Sequence, residues 1–394
     1  MSNSSKIIVI AAIIIALAVG FGGGFLTSQA ANGNGLFNFK LSTTPTANQT
    51  PANNIKIIDE AWNYLAKDYV EPGKLASENI SAGAIKGMLA ALADPHMAYL
   101  TAQDLINLQS QFAGSFEGIG AVLGIKDSKL TIAAVFKGTP AEGAGILSGD
   151  VIEQINGEVT DGMSVDVAVS KIRGAAGTKV TLLILHAGAT EPVTITITRA
   201  QVDVPSVNYE LKGDIAVISI YQFTSRSEDE LAAVMPKLKE DNAKGIVIDL
   251  RDNPGGILDI VIKIASHFIT DGIIVSVRNN QGVVSTSYAV KQKVTTDLPM
   301  VVLVNENSAS GSEVLSGALQ DHQRAVIAGT VTYGKGSVNQ LQPLSDGSGI
   351  YITISRWLTP DGRLIEGKGI QPDVTLTTTG DEELQWAIDH LDGK

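Results

Sequence analysis

The hydrophobic pattern divides the chain into stretches of different texture. From Ile7 to Leu26 no charged residue interrupts a run of isoleucine, valine, alanine and glycine that is long enough to cross a bilayer as a helix. Lys6 flanks it on the N-terminal side, which orients the body away from the cytoplasm. The run is longer than a usual signal-peptide core, so a retained anchor is favoured, although Ser28-Gln29-Ala30 offers a small-x-small cleavage site. Residues 27–54 are polar, aperiodic and rich in Asn, Gly, Thr and Pro, the pattern of a flexible tether. At Ile55 a helical period begins: Ile57, Ile58, Ala61, Tyr64 and Leu65 recur at three- and four-residue steps until Glu71-Pro72-Gly73. A second helix is predicted over residues 81–92, stopped at Asp94-Pro95. His96 beside that turn has the bland reading of a structural or surface histidine.

Between about 112 and 200 the pattern changes to short β runs punctuated by glycine turns. Strands are predicted at Gly118–Gly124, Leu130–Val135, Val151–Ile155, Val180–Leu185 and Val193–Thr198, with a short helix after Pro140 and another at Val165–Ile172. An exposed strand edge beside a helix can accept an extended peptide as an added strand. Backbone amides in the turn Gly118-Ile119-Gly120 can hold that peptide's terminal carboxylate. The order Pro140-Ala141, Ala144-Gly145, Gly149-Asp150-Val151-Ile152, Ile155-Asn156-Gly157 closely resembles a PDZ domain of the kind fused to proteases.

From 201 onward strands and helices alternate. The predicted elements are a strand at 215–221, a helix at 228–240, the apolar strand Gly245–Leu250, a helix at 257–268 and the strand Met300–Val304. Asn253-Pro254-Gly255-Gly256 follows a strand and opens a helix, leaving N–H groups that can stabilise an oxyanion. Ser310-Gly311-Ser312-Glu313 does the same after the next strand. Ser310 thus sits at a helix N-terminus, with the Gly311 N–H as a second donor. Ser308, Ser310 and Ser312 also compete for an ordinary N-cap role. Lys335, bracketed by Gly334 and Gly336, is placed for close backbone approach with its amine in a cleft. A lysine can act as a base for serine only when neutral, which burial supplies. The Gly-x4-Gly-Lys-Ser/Thr phosphate loop is not present.

Composition narrows the chemistry. A chain of 394 residues with 44% hydrophobic and 18% charged content suits two or three folded domains. A net charge of −12 argues against a nucleic-acid partner. The absence of cysteine excludes disulfides, zinc–thiolate sites and thiol nucleophiles. No metal or cofactor is implied. A serine–histidine pair fits poorly, because His322 lies twelve residues beyond Ser310, about 18 Å along a straight helix. His267 is not excluded by spacing.

The segments Asn307–Glu313 and Tyr333–Val338 together resemble the C-terminal processing peptidases, or tail-specific proteases. The likeness extends to Asp94-Pro95-His96 with Tyr99-Leu100, to Asp249–Gly256, to Thr359–Gly362 and to Gly369–Asp373. It implies Ser310 as nucleophile and Lys335 as general base, with Gly311 and Gly255 or Gly256 as oxyanion donors. The family's lysine-orienting glutamine falls at Asn339, with Gln340 next. Either could serve. Asp321 matches a family position that could join a charge relay and is expected to support the fold or site. The implied architecture is multi-domain α/β: an anchor (1–26), a tether (27–54), a helical segment (55–111), a PDZ-like β-barrel domain (112–200) and a crotonase-like α/β protease core with a C-terminal helix (201–394). The implied activity is serine endopeptidase cleavage near protein C-termini, in an extracytoplasmic body attached to the cell membrane, with homo-oligomerisation possible. A non-catalytic PDZ adaptor and a crotonase-type acyl-CoA enzyme are the alternatives.

Overall fold

The computed structural model describes residues 52–76 and 78–393, so the apolar run 7–26 and nearly all of the tether lie outside the described residues. Among the described residues no helix is long and apolar enough to cross a membrane.

The N-terminal part is helical, as its period predicts: Ala52–Asp68, a 3-10 turn at Pro72–Ala76, and Glu78–Ala91. Yet Ile55, Ile57, Ile58, Trp62, Tyr64 and Leu65 on the first helix are all exposed. This apolar stripe is not covered by the other described residues. Asp94-Pro95 then turns the backbone into the strand Ala98–Leu100, which pairs antiparallel with Gly349–Leu358 from far along the sequence. The helix Ala102–Ala113 follows, its N-cap Thr101 exchanging hydrogen bonds with Asp104. Leu105, Leu108 and Phe112 pack with Leu100 and Tyr351.

Strands Ser115–Gly118 and Ala200–Asp203 pair with each other and bracket a six-stranded unit. Its predicted elements form close to their expected limits, the helix Val165–Ile172 and the strand Val193–Thr198 without change. Ile132, Ile152, Ile155, Val180, Leu182 and Ile184 make its core, inward positions of alternating strands. Strand Ala121–Lys126 lies at the sheet edge, paired on one side only, with Lys129–Val135.

The larger body holds two sheets. In one, Ile215–Ile220, Gly245–Asp249, Met300–Val304, Val326–Gly329 and Val374–Thr375 run parallel, with Val207–Lys212 antiparallel at an edge. In the other, Ala98–Leu100, Ile273–Asn279, Val284–Tyr288, Ser337–Pro343 and Gly349–Leu358 pair antiparallel. The predicted helix 228–240 is instead two pieces, Ser227–Val234 and Lys237–Glu240. Pro236 between them has no N–H to continue the ladder. Helices Leu258–Ala265 and Gly311–Asp321 pack across one apolar core with the parallel strands, which places the C-terminal ends of Gly245–Asp249 and Met300–Val304 side by side.

Candidate active site

Two loops leave those adjacent strand ends. The first carries Asp252-Asn253-Pro254-Gly255-Gly256 and the second Asn305 to Ser310, and side chains lock them together. Asp252 Oδ1 accepts from Asn305 Nδ2 and Asn307 Nδ2, each at 2.8 Å, while the Asp252 N–H donates to Asn305 Oδ1. Behind them Arg251 grips Asp249 with two nitrogens and reaches Glu383 at 2.8 Å. These hydrogen-bonded carboxylates push the guanidinium pKa upward against its burial.

Geometry separates the three serines. Ser308 Oγ donates to Leu250 O at 2.8 Å and Ser312 Oγ to Asn253 O at 2.9 Å. Both hydroxyls tie the second loop to the first. Ser310 Oγ is buried and has no hydrogen-bond partner among the described residues. Its backbone is held at φ 51°, ψ −108°, a strained conformation for a residue with a Cβ and one that clusters at functional sites. An unpartnered hydroxyl on a forced turn at a helix start is poised to react, whereas a capping serine would spend its oxygen on the helix.

What forces the turn is Glu313, whose importance beyond helix capping the sequence did not reveal. Its carboxylate is buried and receives four donors. Oε2 accepts from the Ser310 N–H at 2.8 Å and the Lys335 N–H at 2.9 Å; Oε1 accepts from Thr332 Oγ1 and the Gly334 N–H, both at 2.6 Å. One oxygen therefore holds the main chain of both residues of the expected catalytic pair. Burial pushes the Glu313 pKa up while the four donors pull it down.

Lys335 is only 3% exposed. Burial brings its pKa down to about 8, opposed by the charges of Glu366, Glu313 and Asp94. Its Nζ lies 5.9 Å from the ring centre of buried Tyr351. The flanking glycines have a steric reason. A Cβ at Gly334 would press on the backbone of 367–369, and one at Gly336 would overlap the Glu366 main chain. Only bare backbone lets the loop 365–369 close over the lysine.

The oxyanion candidates differ from one another. The Gly255 N–H already donates to Asn253 Oδ1 at 2.8 Å, so this residue contributes room instead. A Cβ there would fall 2.7 Å from Gly311 N and 2.8 Å from the Ser310 Cβ. The N–H groups of Gly256 and Gly311 make no hydrogen bond to any described residue; Gly311 directly follows Ser310, and Gly256 directly follows the glycine that packs against it.

The remaining expected residues fall elsewhere. The Asn339 amide accepts from Ser337 Oγ and donates to His96 O and Thr353 Oγ1, so its bonds go to the walls of the lysine pocket and none to the lysine. Gln340 follows it on the strand Ser337–Pro343, where neighbouring side chains point to opposite faces. Asp321 closes the far end of the helix that Ser310 begins, accepting from the Asp361 N–H and pairing with Arg363. It supports the fold and does not touch the nucleophile. His322 Nε2 binds Ile273 O and His267 Nδ1 binds Val294 O, and neither ring hydrogen-bonds to Ser310.

In the smaller unit Gly118-Ile119-Gly120 forms the turn into the edge strand Ala121–Lys126. The Ile119 and Gly120 N–H groups donate to no described residue. Beside them lies Arg173, which sequence reasoning missed. Its guanidinium stacks 4.9 Å from the Phe116 ring centre, its stem borders Gly118, and no described carboxylate pairs with it. Burial pushes its pKa down. A cation without an anion beside open amides fits a terminal carboxylate.

Comparison with known proteins finds relatives over most of the chain. Residues 214–376 match the peptidase family S41 model, 131–186 a PDZ domain, and 17–104 the activating protease CtpB N-terminal domain. A probable CtpA-like serine protease of Staphylococcus aureus is 38% identical over 335 residues, covering 84% of this chain and 66% of that protein. The Staphylococcus epidermidis counterpart is 38% identical over 329 residues, covering 82% and 66%. The chain thus spans just under two thirds of the length of these relatives. Among solved structures, a photosystem II D1 C-terminal processing protease aligns with a TM-score of 0.51 at 28% identity, over 85% of this chain and 97% of that one.

Proposed function

The chain belongs to the PDZ-containing C-terminal processing peptidases of family S41, and from that membership we propose that it is a serine endopeptidase acting near the C-termini of extracytoplasmic proteins. The observation that carries the reading is the shared Glu313 carboxylate, which gathers an unpartnered serine and a buried lysine onto one oxygen.

In the proposed mechanism an apolar protein tail adds to the edge strand Ala121–Lys126, its carboxylate held by the 118–120 turn and Arg173. Neutral Lys335 takes the proton of Ser310 as Oγ attacks the scissile carbonyl carbon. Gly256 and Gly311 N–H groups receive the oxyanion. Collapse breaks the C–N bond, and the Lys335 ammonium returns its proton to the departing amine. A water, deprotonated by the same amine, then hydrolyses the ester and frees Ser310. We further place the run 7–26 in the membrane as a retained anchor, with the body extracytoplasmic. The uncovered stripe on Ala52–Asp68 supports association with a second copy.

The test compares the full-length chain with its Ser310→Ala variant on one unfolded protein bearing an apolar or a charged C-terminus. Cleavage of the apolar-tailed form by the wild type alone supports the proposal. Equal cleavage by both proteins would refute the nucleophile. Binding of the apolar tail with no cleavage by either protein would favour the adaptor.

A further inference from the structure

The Lys335 amine is walled by groups that no catalytic step above uses. Glu366 comes from the loop that closes over Gly336, Glu313 from the helix below, and Asp94 and His96 from the N-terminal turn. Tyr351 comes from the strand Gly349–Leu358, which also carries Arg356 against Glu366 and Asp94. Glu366 is shared within this ring. Its Oε1 lies 3.3 Å from His96 Nε2 and its Oε2 3.2 Å from an Arg356 nitrogen. Arg356 also faces Asp94 at 3.7 Å, and the Asp94 carboxylate accepts the His96 N–H at 2.9 Å. Asn339 fixes this turn by donating to His96 O at 2.8 Å. A segment some 240 residues upstream thus supplies one wall of the lysine pocket.

We propose that Glu366 is the counter-charge that holds Lys335 as its ammonium ion, and that Arg356 and His96 weaken that hold by engaging the same carboxylate. Glu366 is then a positioning residue: it touches no substrate and acts through the lysine. The competition has a physical reason. A buried ammonium facing an uncompensated carboxylate would stay protonated and could not accept the serine proton. A carboxylate already bonded to an arginine and a histidine stabilises the ammonium less, while its remaining charge keeps the amine directed into the pocket. His96 acts here in its neutral form, because burial and then the Lys335 charge push its pKa down. The inference rests on the serine–lysine reading.

The experiment is the pH profile of kcat/KM for the full-length chain, its Glu366→Gln and Arg356→Met variants, and Lys335→Ala as control, on one peptide substrate. Removing the anion destabilises the ammonium, so Glu366→Gln moves the acidic limb down by roughly half to one pH unit. Activity well below the limb then rises about three- to tenfold relative to each enzyme's own plateau. Removing the competing cation moves the limb of Arg356→Met up. The limb's position does not depend on how much of a sample is folded, and if Glu366→Gln does not fold, Arg356→Met alone decides. Limbs that stay in place with only a lowered plateau would overturn the proposal and assign the cluster a structural role. An active Lys335→Ala protein would instead refute the serine–lysine reading itself.

Discussion

Lys335 is buried at a cost to the folded protein, and Lys335→Met should recover that cost while abolishing catalysis. Methionine keeps an unbranched stem of similar length and removes the charge. An ordinary lysine has a pKa of 10.5, and here burial holds it at about 8. Each tenfold difference in acidity corresponds to about 1.4 kcal/mol, so the ammonium destabilises the native state by roughly 3 kcal/mol at pH 7. The sign follows from proton counting. Between pH 8 and 10.5 the unfolded chain binds the proton that the folded chain has released, so wild-type stability rises with pH. The advantage of the variant should therefore shrink, from ~3 kcal/mol at pH 7 to ~1 kcal/mol at pH 9.5. Urea unfolding of both proteins at the two pH values, followed through the core's tryptophans, measures it. Peptide hydrolysis should fall about 10²- to 10⁴-fold, as expected for loss of a general base. A variant less stable than wild type at pH 7, or an advantage unchanged with pH, would show that the lysine is not held under this penalty.

Three further outcomes follow from the same geometry. Ser308→Ala and Ser312→Ala should each lower stability by about 1 kcal/mol, read by urea unfolding, because each removes a buried hydrogen bond that ties the two loops together; Ser310→Ala should leave stability unchanged and remove hydrolysis. Glu313→Gln turns an amide N–H₂ toward donors that need acceptors, so kcat should drop at least 100-fold while binding of an apolar tail, measured by titration, persists. Arg173→Met should raise KM for a peptide with a free C-terminal carboxylate about ten- to a hundredfold and leave KM unchanged for the amidated peptide.

The elements of the fold were legible wherever local pattern decides them. Val165–Ile172, Val193–Thr198 and Met300–Val304 follow from period and flanking turns. The division at Pro236 is also local, since a proline inside a helical run removes a ladder donor, but the helical period from 228 to 240 carries across it and hides the break. Lys335 stands out between two glycines in a turn after a strand, while Ser310 is singled out from its neighbouring serines only by the family resemblance. What decides between a capping serine and a nucleophile is less local. Ser308 and Ser312 are spent on Leu250 and Asn253, which lie some sixty residues away in sequence. The pairing of Ala98–Leu100 with Gly349–Leu358, which brings His96 to the lysine, likewise exists only in three dimensions.

The departure at Asn339 acquires a physical meaning in that setting. Where the resemblance puts a glutamine, asparagine spends its amide on His96 O, Thr353 and Ser337. No side-chain hydrogen bond among the described residues reaches the Lys335 amine, and two indirect holds place the residue. Glu313 fixes its main-chain N–H, and the loop bearing Glu366 closes against Gly336. Each of those holds joins segments from different elements, and Asn339 ties the turn 94–96 to the strand that follows the lysine, so the site draws on the helix Gly311–Asp321, the loop 365–369 and that turn together. The chemistry is thereby tied to completion of the fold. A change that loosens the N-terminal turn should disturb Lys335 as surely as one made beside it.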